Sequence, residues 1–184
     1  GGIGLISGYA GGLVDSILMR LVDVLLSIPG LPLLILIATL FTLGPLPLAL
    51  VLAAVSWMGI ARVVRGEVLR LRRVEYVEAA RLIGASSTRI ALRHVLPNVA
   101  PLLVVFASLS IPGLILTEAA LSFLGIGVQV PDPSWGNMLG EAQDYFRTNV
   151  ANILIPGTAI FVTSLALFLI GSGLRDAFDP RLGD

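Results

Sequence analysis

The stretch EYVEAARLIGASSTRIALRHVLPN, Glu75–Asn98, is polar and carries three arginines, yet it lies between two long apolar blocks. The 184-residue chain is 56% hydrophobic and only 13% charged, and its mean hydropathy is +0.95. Because a soluble domain is nearer a quarter charged, this composition predicts a membrane protein. The zero net charge gives no sign of a nucleic-acid partner, and the absence of cysteine excludes disulfides and thiol chemistry.

Long uncharged runs predict the membrane spans, because each crossing needs about 20 apolar residues. No charge occurs between Asp23 and Arg62, and the sequence TLGPLP at 42–47 places a turn inside that run. Backbone groups in lipid must bond within the segment, so the spans are expected to be helices. The expected spans are 24–42, 46–62, 95–117 and 148–174, after a truncated first segment within 1–9.

These runs predict an all-α polytopic bundle of about five spans, with 1–184 forming one transmembrane domain. We expect the chain to be a fragment that lacks an N-terminal helix.

Eight of the twelve basic residues, all of them arginine, lie from Arg62 to Arg93, and Arg20 and Arg175 follow other odd-numbered segments. By the positive-inside rule these regions face the cytoplasm. The polar loop 64–97 is therefore expected inside and the loop 121–149 outside.

The polar stretch has the pattern of two short helices separated by a glycine. Tyr76, Ala79, Ala80 and Ile83 follow helical spacing and predict the apolar face of the first helix. Gly84 can adopt the left-handed conformation that ends a helix, and Ser86 or Ser87 can cap the next one.

Two interpretations of this segment stay open on composition. A basic amphipathic segment can rest on anionic lipid. A compact knob with small alanines can instead dock against a cytoplasmic protein, and the glycine break favours this second interpretation.

The same residues resemble a known motif. Glu78-Ala79-Ala80, then Gly84 after three residues, then Leu96-Pro97, resemble the EAA loop of ABC importer permease subunits. His94 stands where the general pattern prefers isoleucine, and RHVLPN is similar to the form in dipeptide, oligopeptide and nickel permeases. Three further stretches are similar to the C-type subunit of that subfamily: Gly8–Pro29, Thr117–Leu139 and Gly173–Leu182.

The resemblance implies the transmembrane domain of a type I ABC importer in a bacterial or archaeal inner membrane. Such a subunit forms half of a path for peptides or nickel, together with a paralogous permease subunit. Two cytoplasmic ABC ATPases and an extracytoplasmic solute-binding protein are the other implied partners, with lipid around the spans and no nucleic acid. The residues implied in ATPase coupling are Glu78, Ala79, Ala80, Gly84, His94, Leu96 and Pro97.

The resemblance also implies that this chain is not an enzyme. No phosphate-binding loop ending in Gly-Lys is possible, because the chain contains no lysine. We expect no cofactor in this chain, and ATP and Mg²⁺ on partner subunits. No catalytic or metal-binding residue is predicted.

Other residues carry weaker predictions. Gly4, Gly8 and Gly12 recur every four residues and favour close helix packing. Glu118 lies at the end of an expected span, and two interpretations stay open. It has a role in the transport path or in loop anchoring, or it is merely a solvated helix end. Trp135 lies in a turn-rich stretch that is expected outside and is a candidate interfacial anchor. Two interpretations stay open: this stretch faces a binding protein, or it packs on the bundle. Arg20 and Asp23 are expected to pair along one helix.

Two other classes of function were weighed. An ATP-independent secondary transporter or channel usually carries ionisable groups at mid-membrane, and none occurs between Asp23 and Arg62. An intramembrane protease would need serine and histidine facing each other in the bundle, whereas Ser86, Ser87 and His94 all lie in the polar insert. The cargo itself is not readable from the sequence.

Overall fold

The computed structural model describes residues 1–41, 43–145 and 147–178. Over these residues the chain is helical and contains no strand, which confirms the all-α prediction. A π-helical turn, Ala91–Val95, joins α6 to α7, and a short 3-10 turn, Gln143–Tyr145, follows α8. The helices are α1 Gly2–Ala10, α2 Gly12–Leu26, α3 Gly30–Leu40, α4 Pro45–Leu71, α5 Glu75–Leu82, α6 Ser87–Ile90, α7 Leu96–Phe123, α8 Trp135–Ala142 and α9 Ala151–Phe178.

Three helical stretches within the described residues are long and apolar enough to cross a membrane. They are α4, the continuous 37-residue stretch Ser87–Phe123, and α9. The helices α2 and α3 pass the same test only together, as a bent pair, which raises the count to four at most. The upper count of four agrees with the four full spans expected, and the truncated first segment corresponds to α1, which has nine residues and is too short to cross a membrane.

The predicted span at 24–42 is divided by a proline. Helix α2 ends at Leu26, and Pro29 is the N-cap of α3, with φ −58° and ψ 121°. A proline disfavours helical conformation in the residue before it and has no N–H to donate, which favours a break between α2 and α3 at Ile28 and Pro29. The turn predicted at 42–47 agrees with a helix that begins at Pro45, although Thr42 lies outside the described residues.

Contacts between Cα atoms divide the chain into two compact units. The first unit contains 1–28, 56–106 and 174–184, of which the structure describes residues up to 178. Five of the eight buried residues in its core, called the valine core below, are valines from the second half of α4, from α5 and from the beginning of the α7 stretch. The buried members of this core are Val64, Val68, Leu71, Val77, Ala80, Ile90, Val95 and Val99.

The second unit contains 29–55 and 107–173. Its core combines α3, the first half of α4, the end of α7 and the loop that follows α7. Larger leucines dominate here, and the buried members are Leu34, Ala38, Leu43, Leu48, Leu52, Leu121 and Val128. Many apolar side chains of α9, including Phe161 and Phe168, are exposed, as suits a helix surrounded by lipid or another subunit.

Candidate functional site

The polar stretch folds as a short helix, a glycine turn and a second helix, as predicted. We call this unit, α5 to α6, the knob. Gly84 has φ +85°, in the left-handed region that favours glycine. The Gly84 amide donates to Arg81 O at 3.1 Å and the Ala85 amide to Ala80 O at 3.0 Å. This pair of bonds is the Schellman motif that satisfies the last carbonyl groups of α5. Ser86 caps α6, because its Oγ accepts from the Arg89 amide at 3.4 Å.

The apolar face predicted for α5 is mostly exposed in this chain, and Ala80 is its one buried member. Val77 and Ala80 are buried in the valine core, whereas Tyr76, Ala79 and Ile83 are exposed. Packing against Val64 and Val68 of α4 selects the buried face.

The end of α5 presents two large apolar side chains, of which the sequence analysis named only Ile83 and missed Leu82. Leu82 is 88% exposed and Ile83 is 86% exposed. A Cβ added to Gly84 would meet nothing within 4 Å, so the surface beside them is open. We call Leu82, Ile83 and Gly84 the tip. The available signal in the sequence was a pair of bulky apolar residues directly before a helix-ending glycine.

The remaining residues of the predicted coupling set lie on α5 and at the beginning of the helical stretch that leads into α7. Glu78 and Ala79 are exposed on α5, and Leu96 is half-buried at the start of α7. The His94 ring lies 6.3 Å from the Tyr76 ring, centroid to centroid, and His94 O accepts from Asn98 Nδ2 at 2.6 Å.

Pro97 does not end a helix. The π-helical turn Ala91–Val95 directly precedes it, and the helical stretch continues from Ser87 to Phe123. A proline ring and its missing N–H disrupt the ordinary hydrogen-bond ladder, and a widened turn is one way to accommodate them.

Charged contacts between distant parts of the first unit were also missed. Arg65 donates to both carboxylate oxygens of Asp15, from Nε at 2.5 Å and from Nη2 at 2.6 Å, and Ser7 Oγ donates to the same carboxylate. Asp23 pairs with Arg62 at 2.5 Å and not with Arg20. The expected pair within one helix is therefore replaced by a pair across 39 residues of sequence.

The three small residues predicted for helix packing do not share one environment. A Cβ on Gly4 would lie 2.9 Å from Val64 Cβ, and a Cβ on Gly8 would lie 2.8 Å from Val68 Cβ, so both glycines lie tightly against α4. Gly12 has nothing within 4 Å and a φ of +54°. The four-residue repeat fails there because α1 ends at Ala10 and the chain turns at Gly11 and Gly12.

Glu118 and its neighbours tie down the segment after α7. The buried Ser122 Oγ donates to Glu118 Oε1 at 2.6 Å and accepts from the Val128 amide at 3.0 Å. This is the geometry of loop anchoring. A role of Glu118 in the transport path stays a prediction.

Trp135 begins α8 and is 37% exposed. Ser134 caps this helix, with its Oγ accepting from the Asn137 amide at 3.1 Å. Asn137 Nδ2 donates to Val128 O at 2.9 Å, and Gly136 lies directly against Ala119 O of α7. The segment that leads from α7 through α8, which the sequence predicts to face outward and which we call the outer segment, is therefore capped and packed onto α7, while contact of Trp135 with a binding protein stays a prediction.

Comparison with known proteins supplies the family. A family model described as binding-protein-dependent transport system inner membrane component matches residues 1–184. The oligopeptide transport system permease protein OppC of Haemophilus influenzae is 42% identical over 178 residues, 97% of this chain and 57% of that protein. OppC of Escherichia coli (strain K12) is 43% identical over 171 residues, 93% of this chain and 57% of the relative.

A relative named for a different cargo shows a similar identity. The glutathione transport system permease protein GsiD of Pectobacterium atrosepticum is 43% identical over 180 residues, 98% of this chain and 60% of that protein. The chain thus spans between 57% and 60% of the length of these curated relatives.

Proposed function

The chain belongs to the family of inner membrane components of binding-protein-dependent transport systems, and we propose that it is the transmembrane subunit of an ATP-driven importer. In this proposal it forms half of a translocation path, together with a paralogous permease subunit. The family description and the apolar helices make it a multi-pass protein of the inner membrane.

The energy source lies on other chains in this proposal. A phosphate-binding loop requires a lysine, and this chain has none. ATP and Mg²⁺ would therefore bind two cytoplasmic ATPase subunits, and this chain alone would hydrolyse no ATP. Measurable ATPase activity of the purified chain by itself would contradict this part of the proposal.

The tip is the proposed docking element for an ATPase. Leu82 and Ile83 are exposed although each would gain about 1.5–3 kcal/mol from full burial. Exposed apolar side chains next to an open, left-handed glycine suit close approach by a partner backbone. This pairing of an exposed apolar tip with a buried base is the observation that carries the proposal.

The base of the knob supports transmission of movement into the membrane helices. Val77 and Ala80 of α5 share one core with Val64 and Val68 of α4 and with Val95 at the start of the α7 stretch. Protein cores are close-packed and transmit displacement, so a pull on α5 would move the ends of two membrane helices together.

Peptides are the proposed cargo class. The relatives are named as oligopeptide and glutathione permeases, which supports peptides rather than nickel. An extracytoplasmic solute-binding protein would deliver the cargo, as the family description indicates. The residues that line the path would lie in the paired subunits, and selection of cargo would rest largely with the binding protein.

The test is an Ile83→Asp variant in the complete transporter. A carboxylate placed in an apolar interface should weaken ATPase docking by about 2 kcal/mol, roughly 30-fold in affinity. Co-purification of the ATPase and ATP-driven peptide uptake in proteoliposomes should both fall. The conservative variant Ile83→Leu should retain both, and unchanged uptake by Ile83→Asp would refute docking at this site.

A further inference from the structure

Within the described residues, two ion pairs connect α2 to α4, and they differ in how well water is excluded from them. Arg65 donates to both carboxylate oxygens of Asp15, at 2.5 and 2.6 Å, and the two side chains are 34% and 14% exposed. Arg62 reaches one oxygen of Asp23 at 2.5 Å, and both of these side chains are about half exposed. A shielded, bidentate pair fixes the geometry of its helices, whereas an exposed single contact contributes little.

The Asp15 carboxylate joins three helices at one point. Besides the two bonds from Arg65 of α4, it accepts a hydrogen bond from Ser7 Oγ of α1, and Ser7 is fully buried. The chain turns between α1 and α2 at Gly11 and Gly12, both with positive φ. Asp15 therefore closes this turn and binds it to α4.

Helix α1 lies directly against the same part of α4. Gly4 and Gly8 leave no room for a side chain where they meet Val64 and Val68. Arg72, directly after α4, donates from Nη1 to Gly8 O at 2.9 Å. Apolar contact is not directional, so the arginine bonds are what set the register between these helices.

The same part of α4 also supports the knob. Val64 and Val68 are buried in the valine core with Val77 of α5, and Leu5 and Tyr9 of α1 pack against that core. None of the described residues of this core comes from α2. The pair formed by the α2 carboxylate and the α4 guanidinium is thus a direct link between α2 and the helix that supports the knob.

We infer that Asp15 is a positioning residue that locks α2 to α4, so that a displacement of the knob moves both helices together. The inference rests on the proposed function, because it gives Asp15 a part in ATP-driven transport. Packed apolar surfaces slide past one another more easily than a bidentate ion pair rearranges. Without the lock, α4 would follow the knob while α2 stayed behind, and ATP would be hydrolysed without full opening of the path.

The test is Asp15→Asn in the complete transporter, reconstituted in proteoliposomes. The amide keeps the size of the side chain but removes its charge and one of its two acceptor oxygens. The number of peptides taken up per ATP hydrolysed should fall roughly tenfold, which is within the range by which single residues alter coupling. ATP hydrolysis itself should continue, because the substitution leaves the tip unchanged.

The matched control is Asp23→Asn, which removes the same charge from the same helix at the exposed pair with Arg62. It should transport like the wild type, because exposed pairs contribute little. An equal loss of coupling in this control would overturn the inference.

Arg65→Lys is a second, milder variant that covers the case in which Asp15→Asn does not assemble. Lysine keeps the charge but cannot form two parallel bonds to one carboxylate, so uptake per ATP should fall about threefold. Wild-type coupling in Arg65→Lys would count against a lock that depends on bidentate geometry.

A distance measurement separates a lock from a general loss of stability. The chain contains no cysteine, so spin labels can be attached at Ile17→Cys of α2 and Glu75→Cys of α5, both exposed, beside cysteine-free partner subunits. In the wild type the distance distribution should be narrow and unchanged on ATP binding. Asp15→Asn should broaden it, and Asp23→Asn should not. A wild-type distance that changes on ATP binding, or an equally narrow distribution in Asp15→Asn, would overturn the inference.

The outcomes distinguish this inference from the proposed function. A wild-type complex without ATP-driven peptide uptake would refute the proposed function, and the width of the nucleotide-free distance distribution would still test the lock. A wild type that transports, with equal coupling in Asp15→Asn, would refute the lock alone.

Discussion

The knob after α4 and the outer segment after α7 are both irregular stretches that follow a long apolar helix, but they are held in different ways. The knob buries Val77 and Ala80 in a valine core and leaves its apolar tip exposed. The outer segment is held by hydrogen bonds through the buried Ser122 and by glycines in close contact with α7. Apolar anchoring leaves a surface available for a partner, whereas buried polar bonds tie a segment to its own helix.

Two glycines give the largest expected difference between the regions. A Cβ at Gly136 would lie 2.7 Å from Ser122 Cβ and against Ala119 O, whereas at Gly84 it would meet nothing within 4 Å. Gly136→Leu should therefore destabilise the protein by about 3 kcal/mol or more. Gly84→Leu should cost only about 1–2 kcal/mol, for its left-handed backbone. Thermal unfolding in detergent measures both.

Gly84→Leu should have the more specific effect on transport, although its effect on stability is the smaller of the two. Gly84→Leu should stay in the membrane but uncouple ATP hydrolysis from uptake, because the side chain obstructs the tip. If the unfolding temperature of Gly136→Leu is no lower than that of Gly84→Leu, the stated difference between the two regions is contradicted.

Removal of the central hydroxyl of the outer segment is the next largest test. Ser122→Ala leaves the buried Val128 amide without its acceptor and Glu118 without its donor. An unsatisfied buried group costs about 1–3 kcal/mol, so the unfolding temperature should fall clearly. Thr117→Ala, which removes an exposed hydroxyl bonded within the same helix, is the control and should leave it nearly unchanged.

The base and the tip of the knob should respond differently to truncation. Val77→Ala creates a cavity in the valine core and should cost about 2 kcal/mol of stability. Ile83→Ala is exposed and should change stability by less than about 0.5 kcal/mol. Uptake assays beside thermal unfolding separate the two, because only Ile83→Ala should lower uptake at unchanged stability.

The serine caps give the smallest expected effect and sharpen the comparison. Ser134 Oγ lies 3.1 Å from the amide it accepts, whereas the corresponding distance at Ser86 is 3.4 Å. Replacing a serine cap with alanine costs about 1 kcal/mol, and the longer bond should cost less. Ser134→Ala should therefore lower the unfolding temperature more than Ser86→Ala, and the opposite order would contradict the geometry.

Local rules predicted the parts of the knob that depend on neighbouring residues. The turn at Gly84 and the cap at Ser86 follow from backbone conformation and short-range hydrogen bonding, and both are confirmed. The resemblance carried by Glu78, Ala79, Ala80 and Gly84 is confirmed at the level of the family. Whether those residues receive an ATPase stays a prediction.

Features that depend on distant residues were not predictable in this way. Asp23 pairs with Arg62 because the chain brings α2 beside α4, and no spacing rule within one helix reveals a partner 39 residues away. Burial of Val77 against α4 depends on distant residues in the same way. The division of the span at Pro29 was a local signal that the length of the apolar run obscured.

The sequence by itself determined that this protein is a helical membrane chain, where its polar insert turns, and to which family it belongs. These properties follow from composition, from the conformational freedom of Gly84 and from short motifs, all of which are local. The tertiary structure decided which face of α5 is buried, that Leu82 and Ile83 are exposed, and that Asp15 pairs with Arg65. Burial and electrostatics depend on which helices meet, and that is a property of the folded chain.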